Sequence, residues 1–365
     1  MKKKLVFFAY NLDIGGIEKS LVNLLKRLDY NKYDVTLILE KKEGKFLKDI
    51  DKKVNVVEYK VSNCRFVLFR KIYNFLKRYF WSLRNKNKFD FSCCYATYSL
   101  MGSKLSKIAS RNSSVYVHSD YSYVYKDSDS FKNFFLNRGI GDFRKIFFVS
   151  NESKNNFLKE FKNLESKSLV LNNFIDDKSI ISLANEKVDY KKKDGLLFVF
   201  VGRLDESSKR VSKLLYLIKE LNNKEKIKVN LLVVGDGPDK DEYLEYVKNN
   251  SLESLVTFVG SKSNPYPYIK LADYLILTSL YEGFPVVYLE ALLLKKRIIT
   301  TIDSSDEFIK ISSGYGSIIS KDEKQMVKDV KNILSITDSK VKSIDFDVMN
   351  NKKIETLDKI FNEVI

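Results

Sequence analysis

The chain has 365 residues and a formal net charge of +17, from 64 Lys and Arg against 47 Asp and Glu. With 44% hydrophobic residues, 13% aromatic residues and four prolines, it is neither disordered, collagenous nor a disulfide framework. At roughly 150 residues per domain, the length predicts two domains. Three cysteines, of which Cys93 and Cys94 are adjacent, argue against disulfides and favour a reducing cytoplasm.

The first residues, MKKKLVFFAYN, predict a buried strand. Their apolar run from Leu5 to Tyr10 is shorter than the core of about 7–15 residues in a secretory signal. Gly15, Gly16 and a helical period to Leu28 follow. Such a junction either presents the N–H groups of a helix start to a phosphate or is only a packing turn. It is neither a spaced-glycine dinucleotide motif nor a P-loop.

Positive charge is concentrated in the first half of the chain. Residues 1–180 contain 35 Lys and Arg against 19 Asp and Glu, whereas residues 181–365 contain 29 against 28. No acidic residue occurs from Tyr59 to Phe89, a stretch in which apolar residues recur at helical spacing opposite Arg70, Lys77 and Arg84. Residues 60–88 therefore predict either an amphipathic helix lying on an anionic membrane surface or a solvated helix with its aromatic stripe in the core. No stretch reaches the ~18 apolar residues needed to span a bilayer, so any membrane contact is expected to be peripheral.

Short apolar runs alternate with helical periods through both halves. In the first half, runs begin near residues 4, 34, 53, 91, 114 and 145, and in the second near residues 195, 228, 255, 273 and 297. This alternation predicts two α/β domains with parallel sheets, a boundary within residues 174–194, and a ligand cleft facing the carboxyl ends of both sheets. The predicted organisation is a domain over 1–175, a linker over 176–194, a domain over 195–344 and a terminal helix over 345–365.

The only histidine, His118, follows the predicted strand SVYVHS. A lone histidine is more often a satisfied polar residue than a catalytic one, but a position at a strand end favours a role in the cleft. Asp120 is a candidate to orient its ring. No His/Cys cluster has zinc spacing, and no carboxylate pair predicts magnesium, so neither a metal nor another cofactor is expected.

Cations follow the first strand of the second half, in FVFVGRLDESSKR. Arg203, Lys209 and Arg210 at a strand end would repel one another unless an anion lay between them. A diphosphate suits this arrangement, because an arginine can donate paired hydrogen bonds and a lysine supplies a point charge. The alternative is surface ion pairing. The later GDGP turn, with Gly235 and Gly237, is expected to be structural.

The segment SLYEGFPVVYLEAL carries the most specific pattern. Glu282 follows a strand, the residues Gly283, Phe284 and Pro285 start a helix, and Glu290 lies about two turns into that helix on the same face. Carboxylates placed in this way can accept hydrogen bonds from ribose or hexose hydroxyls. As isolated residues, each would more often be solvated surface.

Together GGIEKSL, FVGRL with its basic pair, GDGP and SLYEGFPVVYLEAL resemble the family-4 retaining glycosyltransferases. That family has the GT-B fold, two Rossmann-like domains with parallel sheets facing across a cleft. The resemblance implies metal-independent transfer from a nucleotide sugar. It assigns the donor diphosphate to Arg203 and Lys209, and the ribose to Glu290.

The same resemblance implies further site residues. Glu282 and the Gly283–Pro285 backbone would hold the donor sugar, Gly15 and Gly16 would approach the phosphate, and His118 would lie near the sugar. Asn173 resembles a family asparagine near the hinge. Lys209 stands six residues after Arg203, where the common pattern has five, so Arg210 is an alternative to it. The terminal helix is expected to pack on the first domain.

We therefore expect a cytoplasmic, peripherally membrane-associated enzyme that extends a lipid-linked saccharide in bacterial surface or capsular polysaccharide synthesis, with a uridine donor as the default. A nucleic-acid or other polyanion-binding protein without turnover is the competing class, although no nucleic-acid recognition motif is present. A third alternative keeps the fold but makes the protein a sugar phosphorylase or epimerase.

Overall fold

The computed structural model describes residues 1–13, 15–62, 64–125, 127–282, 284–303, 311–336, 342 and 344–363. The chain divides into two compact units, Met1–Ile175 with Val348–Ile365, and Asp176–Asp347. Each unit is a Rossmann-like parallel sheet with helices, which confirms the predicted fold class. A short helix, Asp177–Leu183, occupies part of the segment predicted as a linker.

The first unit contains a seven-stranded parallel sheet in the order β3-β2-β1-β4-β5-β6-β7. Its strands are β1 Lys3–Ala9, β2 Tyr33–Leu39, β3 Asn55–Glu58, β4 Phe91–Cys94, β5 Ser113–Val117, β6 Lys145–Phe148 and β7 Ser168–Val170. Central strands such as β1 are apolar and buried over most of their length, from Leu5 to Ala9 in β1, because helices cover both faces of the sheet. The last strand was not predicted, since three residues are too few to show a pattern.

In the described part of this unit, five α-helices connect the strands. They are α1 Gly16–Lys26, α2 Val67–Asn85, α3 Leu100–Ala109, α4 Ser128–Leu136 and α5 Asn151–Glu160. Side-chain caps fix three of the starts, because Ser99, Asp127 and Ser150 each accept a hydrogen bond from a backbone N–H three residues later. No helix that the structure describes has the length and apolarity needed to cross a bilayer.

The second unit contains a six-stranded parallel sheet in the order β10-β9-β8-β11-β12-β13. Its strands are β8 Leu196–Val201, β9 Val229–Val234, β10 Val256–Gly260, β11 Tyr274–Leu277, β12 Arg297–Thr300 and β13 Gly316–Ile318. Its helices are α6 Asp177–Leu183, α7 Val211–Asn223, α8 Lys240–Asn249, α9 Tyr266–Leu271, α10 Val286–Leu293 and α11 Glu323–Ser335.

The last helix, α12 Phe346–Phe361, packs on the sheet of the first unit. The Phe361 ring lies 4.6 Å from that of Phe91 and 5.3 Å from that of Tyr33, between centroids. The Asn112 side chain donates to the Ile360 carbonyl over 2.7 Å. Residues more than 200 positions apart thus share one core.

In each sheet the strand order reverses once, between β1 and β4 and between β8 and β11. In open α/β sheets, ligands bind beyond the carboxyl ends of the strands at such a reversal. A ligand-binding site is therefore expected at the segments that directly follow these strands.

Candidate active site

Arg203 and Glu282 follow the two strands that flank the reversal in the second sheet. Gly202 and Arg203 continue from β8, and Glu282 lies in the loop between β11 and the helix α10. The GDGP turn packs beside them, because a Cβ on Gly235 would lie 1.8 Å from the Gly202 carbonyl oxygen. Glycine is therefore required there for close packing of two loops, which agrees with the expectation that this turn is structural.

Lys209 and Glu282 form an ion pair at this edge. The Lys209 Nζ lies 2.5 Å from the Glu282 Oε1, and the Ser279 hydroxyl donates to the same oxygen over 2.6 Å. Their side chains are only 21% and 10% exposed. The cations were expected to repel one another, but the chain itself supplies a carboxylate beside Lys209. Lys209, rather than Arg210, is the cation in contact with Glu282.

Arg203 is in a different environment. Its side chain is 69% exposed, and its Nε lies 3.9 Å from a carboxylate oxygen of Asp205. Such an exposed pair contributes little to stability. The guanidinium therefore remains accessible to an anion at the end of β8.

The loop between Arg203 and Lys209 is held by a half-buried acceptor, Glu206. Its carboxylate accepts from the backbone N–H and hydroxyl of Ser212 and from the Tyr243 hydroxyl, the last over 2.9 Å. The Glu206 N–H donates to Asp239 over 2.6 Å. Sequence reasoning missed this residue, because nothing local distinguishes it from a solvated glutamate.

Arg210 has a structural role at the end of this loop. Its backbone adopts a left-handed conformation, with φ of 50°, just before α7. The Thr278 hydroxyl donates to the Arg210 carbonyl over 2.9 Å. The segment after β11 thereby ties down the loop that carries Lys209.

Glu290 is buried rather than solvated, with 6% of its surface exposed. The Tyr266 hydroxyl donates to its Oε1 over 3.1 Å. Because α10 begins at Val286 after Pro285, Glu290 lies one turn into the helix, and the expectation of two turns was wrong. Phe284 is buried before the helix, and Gly283 lies outside the described residues.

Gly15 and Gly16 lie at the start of α1, as predicted. A Cβ on Gly15 would lie 2.2 Å from a carboxylate oxygen of Glu18, so the Glu18 side chain folds back over the helix start. The Tyr98 hydroxyl donates to Glu18 over 3.1 Å, and burial raises the pKa of the Glu18 carboxyl. An acid of the chain itself therefore lies where a phosphate was expected to meet the helix dipole.

His118 directly follows β5 and is 8% exposed. Its ring stacks on Tyr116 at a centroid distance of 4.3 Å. Burial lowers its pKa to about 3, opposed in part by the Asn173 side chain and the Tyr95 backbone. Neither ring nitrogen makes a hydrogen bond of standard geometry within the described part of the chain. The fold thus brings a neutral His118 close to Asn173.

Asp120 does not orient His118. Its carboxylate accepts from the Ser122 N–H and hydroxyl and from the Asn156 side chain. Among the residues that the structure describes, no three His, Cys, Asp or Glu side chains are grouped as a metal site would require.

The α2 helix presents its apolar side chains outward. It contributes no fully buried residue, and Leu68, Phe69 and Phe80 are each more than half exposed. Only its carboxyl-terminal half meets the core, where the Trp81 ring lies 6.1 Å from that of Phe8. The interpretation with the aromatic stripe in the core was therefore wrong.

Two family models match nearly the whole chain. One described as Glycosyltransferase Family 4 matches residues 14–179, and one described as Glycosyl transferases group 1 matches residues 184–342. Their junction falls between β7 and β8, close to the boundary between the two compact units.

Similar proteins include an N-acetylgalactosamine-N,N'-diacetylbacillosaminyl-diphospho-undecaprenol 4-alpha-N-acetylgalactosaminyltransferase of Campylobacter jejuni. It is 26% identical over 324 residues, which cover 82% of this chain and 80% of the relative. An uncharacterised glycosyltransferase of Methanocaldococcus jannaschii is 28% identical over 187 residues. That match spans 50% of this chain and 41% of the relative's length.

Among solved structures, HepE of Anabaena in complex with UDP-glucose has a TM-score of 0.76 to this chain. The match covers 98% of this chain and 100% of HepE at 16% sequence identity, so it bears on the fold alone. With two family matches in sequence and a shared two-domain fold, the chain belongs to the family-4 glycosyltransferases of the GT-B fold.

Proposed function

We propose that this glycosyltransferase transfers a sugar from a UDP-sugar, with retention of anomeric configuration, to a lipid-linked saccharide in surface or capsular polysaccharide synthesis. The uridine donor is proposed by analogy with HepE, a protein of the same fold that was crystallised with UDP-glucose. The acceptor class is supported by the C. jejuni relative, whose name specifies a diphospho-undecaprenol-linked saccharide.

The observation that carries the proposal is the arrangement of Arg203, Lys209 and Glu282 beyond β8 and β11. An exposed guanidinium and a half-buried ammonium at one sheet edge match the two kinds of contact that a diphosphate accepts. In this proposal Glu282, beside Lys209, accepts hydrogen bonds from the hydroxyls of the donor sugar, and Glu290 accepts them from the ribose hydroxyls.

In the proposed reaction, an acceptor hydroxyl oxygen forms a bond to the anomeric carbon while the bond from that carbon to the diphosphate breaks. The proton of the hydroxyl passes to the leaving phosphate oxygen, and UDP departs. Arg203 and Lys209 stabilise the negative charge that develops on UDP. No protein base and no metal ion is needed in this scheme. His118 and Asn173 bind the donor sugar, and Gly15 and Gly16 bind the phosphate once the Glu18 side chain has moved from the start of α1.

The decisive experiment compares Arg203→Ala with Lys228→Ala, which removes an exposed cation of the same unit. Each variant is assayed for transfer from a panel of UDP- and GDP-sugars, with and without EDTA. Loss of an electrostatic stabiliser should lower kcat/KM for the preferred donor by about 10²–10³ in Arg203→Ala only. Near wild-type turnover in that variant would refute the assignment of Arg203 to the diphosphate. A product whose anomeric proton coupling shows the configuration opposite to that of the donor would refute retention.

We also propose that the protein works at the cytoplasmic face of the membrane through residues 60–88. Leu68→Gln/Phe69→Gln should reduce flotation with vesicles of phosphatidylglycerol and phosphatidylcholine, because it removes exposed apolar surface from α2. Binding to single- or double-stranded nucleic acid at physiological salt, with no flotation, would favour the polyanion-binding alternative instead.

A further inference from the structure

A groove of about 590 Å³ runs between α2 and the outer strands β2 and β3 of the first unit. Leu76, Phe80 and Trp81 form its wall on α2, and Val57 lies opposite on β3, the edge strand. Phe80 and Leu76 are 57% and 45% exposed although both are apolar. Apolar side chains around an open volume of this size predict a ligand with a substantial apolar part.

The groove is also positively charged. Lys77 and Arg84 line it beside a single acid, Glu58, whose Oε1 already accepts from the Lys42 N–H over 3.1 Å. The Lys77 Nζ lies 5.0 Å from the Tyr59 ring centroid and donates to the Lys60 carbonyl over 2.7 Å, which fixes one cation over the groove. The ligand should therefore carry a negative charge next to its apolar part.

We propose that the groove binds one acyl chain of an anionic membrane phospholipid, with the phosphate beside Arg84 and Lys77. A long apolar chain with an anionic head satisfies both properties of the lining. The same helix exposes apolar and basic side chains beyond the groove, so a bilayer against α2 would present such lipids at high local concentration. The bound lipid extends the proposed membrane docking of α2 from surface adsorption to a defined site.

Trp81 provides a direct measurement, because it is the only tryptophan of the chain and it lines the groove. The probe is a lysophosphatidylglycerol with bromines in mid-chain, added to the full-length protein below the critical micelle concentration. No bilayer is present under these conditions, so quenching of Trp81 fluorescence requires a monomeric lipid chain next to its ring. We expect saturable quenching with one lipid bound per protein.

A matched pair of variants separates the groove from the rest of the helix. Leu76→Gln/Phe80→Gln should weaken monomeric lipid binding at least about tenfold, because it removes apolar lining. Leu68→Gln/Phe69→Gln, at exposed positions outside the groove, should leave monomeric binding unchanged while it reduces vesicle flotation. Absent saturable quenching, or an equal loss in both variants, would overturn the proposal.

Arg84→Gln, with Arg70→Gln as its control, tests whether positive charge in the groove contributes to lipid binding. This variant also tests the proposal if Leu76→Gln/Phe80→Gln does not fold. The loss of one cation should weaken binding about fivefold for Arg84→Gln only. Equal quenching by a brominated lysophosphatidylcholine would overturn the proposed anionic preference. A further outcome is displacement of the probe by an isoprenyl phosphate at a much lower concentration than by unlabelled lysophosphatidylglycerol. That result would overturn the phospholipid proposal and identify the lipid chain of the acceptor as the ligand of the groove. Sugar transfer is not measured here, so either result leaves the transferase proposal to its own test.

Discussion

The Nζ of Lys209 lies 2.5 Å from the Oε1 of Glu282, so the residues assigned to the donor diphosphate and to the donor sugar form one ion pair. When a diphosphate binds, either the ion pair between Lys209 and Glu282 breaks and Lys209 contacts the diphosphate, or the diphosphate binds beside the intact pair. The pair also ties the loop after β8 to the loop after β11 across the strand reversal.

Lys209→Met and Glu282→Gln should each destabilise the protein by about 1–3 kcal/mol, because each removes the counter-charge of a largely buried ionised partner. The double variant should lose less than the sum of the two, as expected for residues in direct contact. Urea unfolding of the four proteins measures this coupling. Strict additivity of the two losses would show that the pair contributes nothing to stability.

Glu206→Ala should raise the donor KM several-fold more than the acceptor KM, since Glu206 positions the loop that carries Lys209. Loss of its carboxylate leaves the Ser212 and Tyr243 donors without their acceptor. Glu225→Ala, at a surface carboxylate paired with Lys331, is the control. A positioning role predicts that Glu206→Gln partly recovers the donor KM. It also predicts that the donor KM of Tyr243→Phe lies between those of wild type and Glu206→Ala. These two results would separate positioning from general destabilisation. Equal rises in both KM values would argue for the latter.

Tyr266→Phe should weaken UDP binding by about 5–10-fold, because the hydroxyl that holds the Glu290 carboxylate is removed while the ring and its burial remain. Calorimetric titration with UDP measures the loss. Uridine should lose affinity by a similar factor, since the effect acts through the ribose, and inorganic pyrophosphate should not. A loss confined to pyrophosphate would place Glu290 away from the ribose.

His118 should remain neutral from pH 5 to pH 8. Burial lowers its folded pKa to about 3, and the unfolded value is near 6.5. As the only histidine, it gives an unambiguous proton resonance, which should not titrate in this range.

The same shift makes stability depend on pH. A depressed pKa on a base means that the unfolded state binds the proton first, so stability falls as pH drops below about 6.5. Between pH 8 and pH 5, wild type should lose about 2 kcal/mol more than His118→Phe, in which the stacked ring no longer titrates. A parallel pH dependence of both proteins would show that His118 is not the group responsible.

Local sequence patterns were sufficient for most of the fold. Apolar runs identified eleven of the thirteen strands that the structure describes, and their alternation with helical periods predicted two parallel sheets. The two strands that were missed, β7 and β13, have three residues each, too few to show a period. Loops at strand ends also pointed to Arg203, Lys209, Glu282 and His118, because a strand followed by a polar loop is recognisable without any distant partner.

The partners of those residues were decided only by tertiary structure. Glu282 is 73 residues from Lys209 along the chain, Tyr266 is 24 residues from Glu290, and nothing local marks either pairing. The exposure of α2 was equally undecided, because an aromatic stripe has the same spacing whether it enters a core or faces outward. Periodicity is a property of neighbouring residues, so sequence alone determined most of the elements and their order along the chain. Burial and charge pairing depend on which distant segments the fold brings together, so the contacts around each candidate residue required the folded chain.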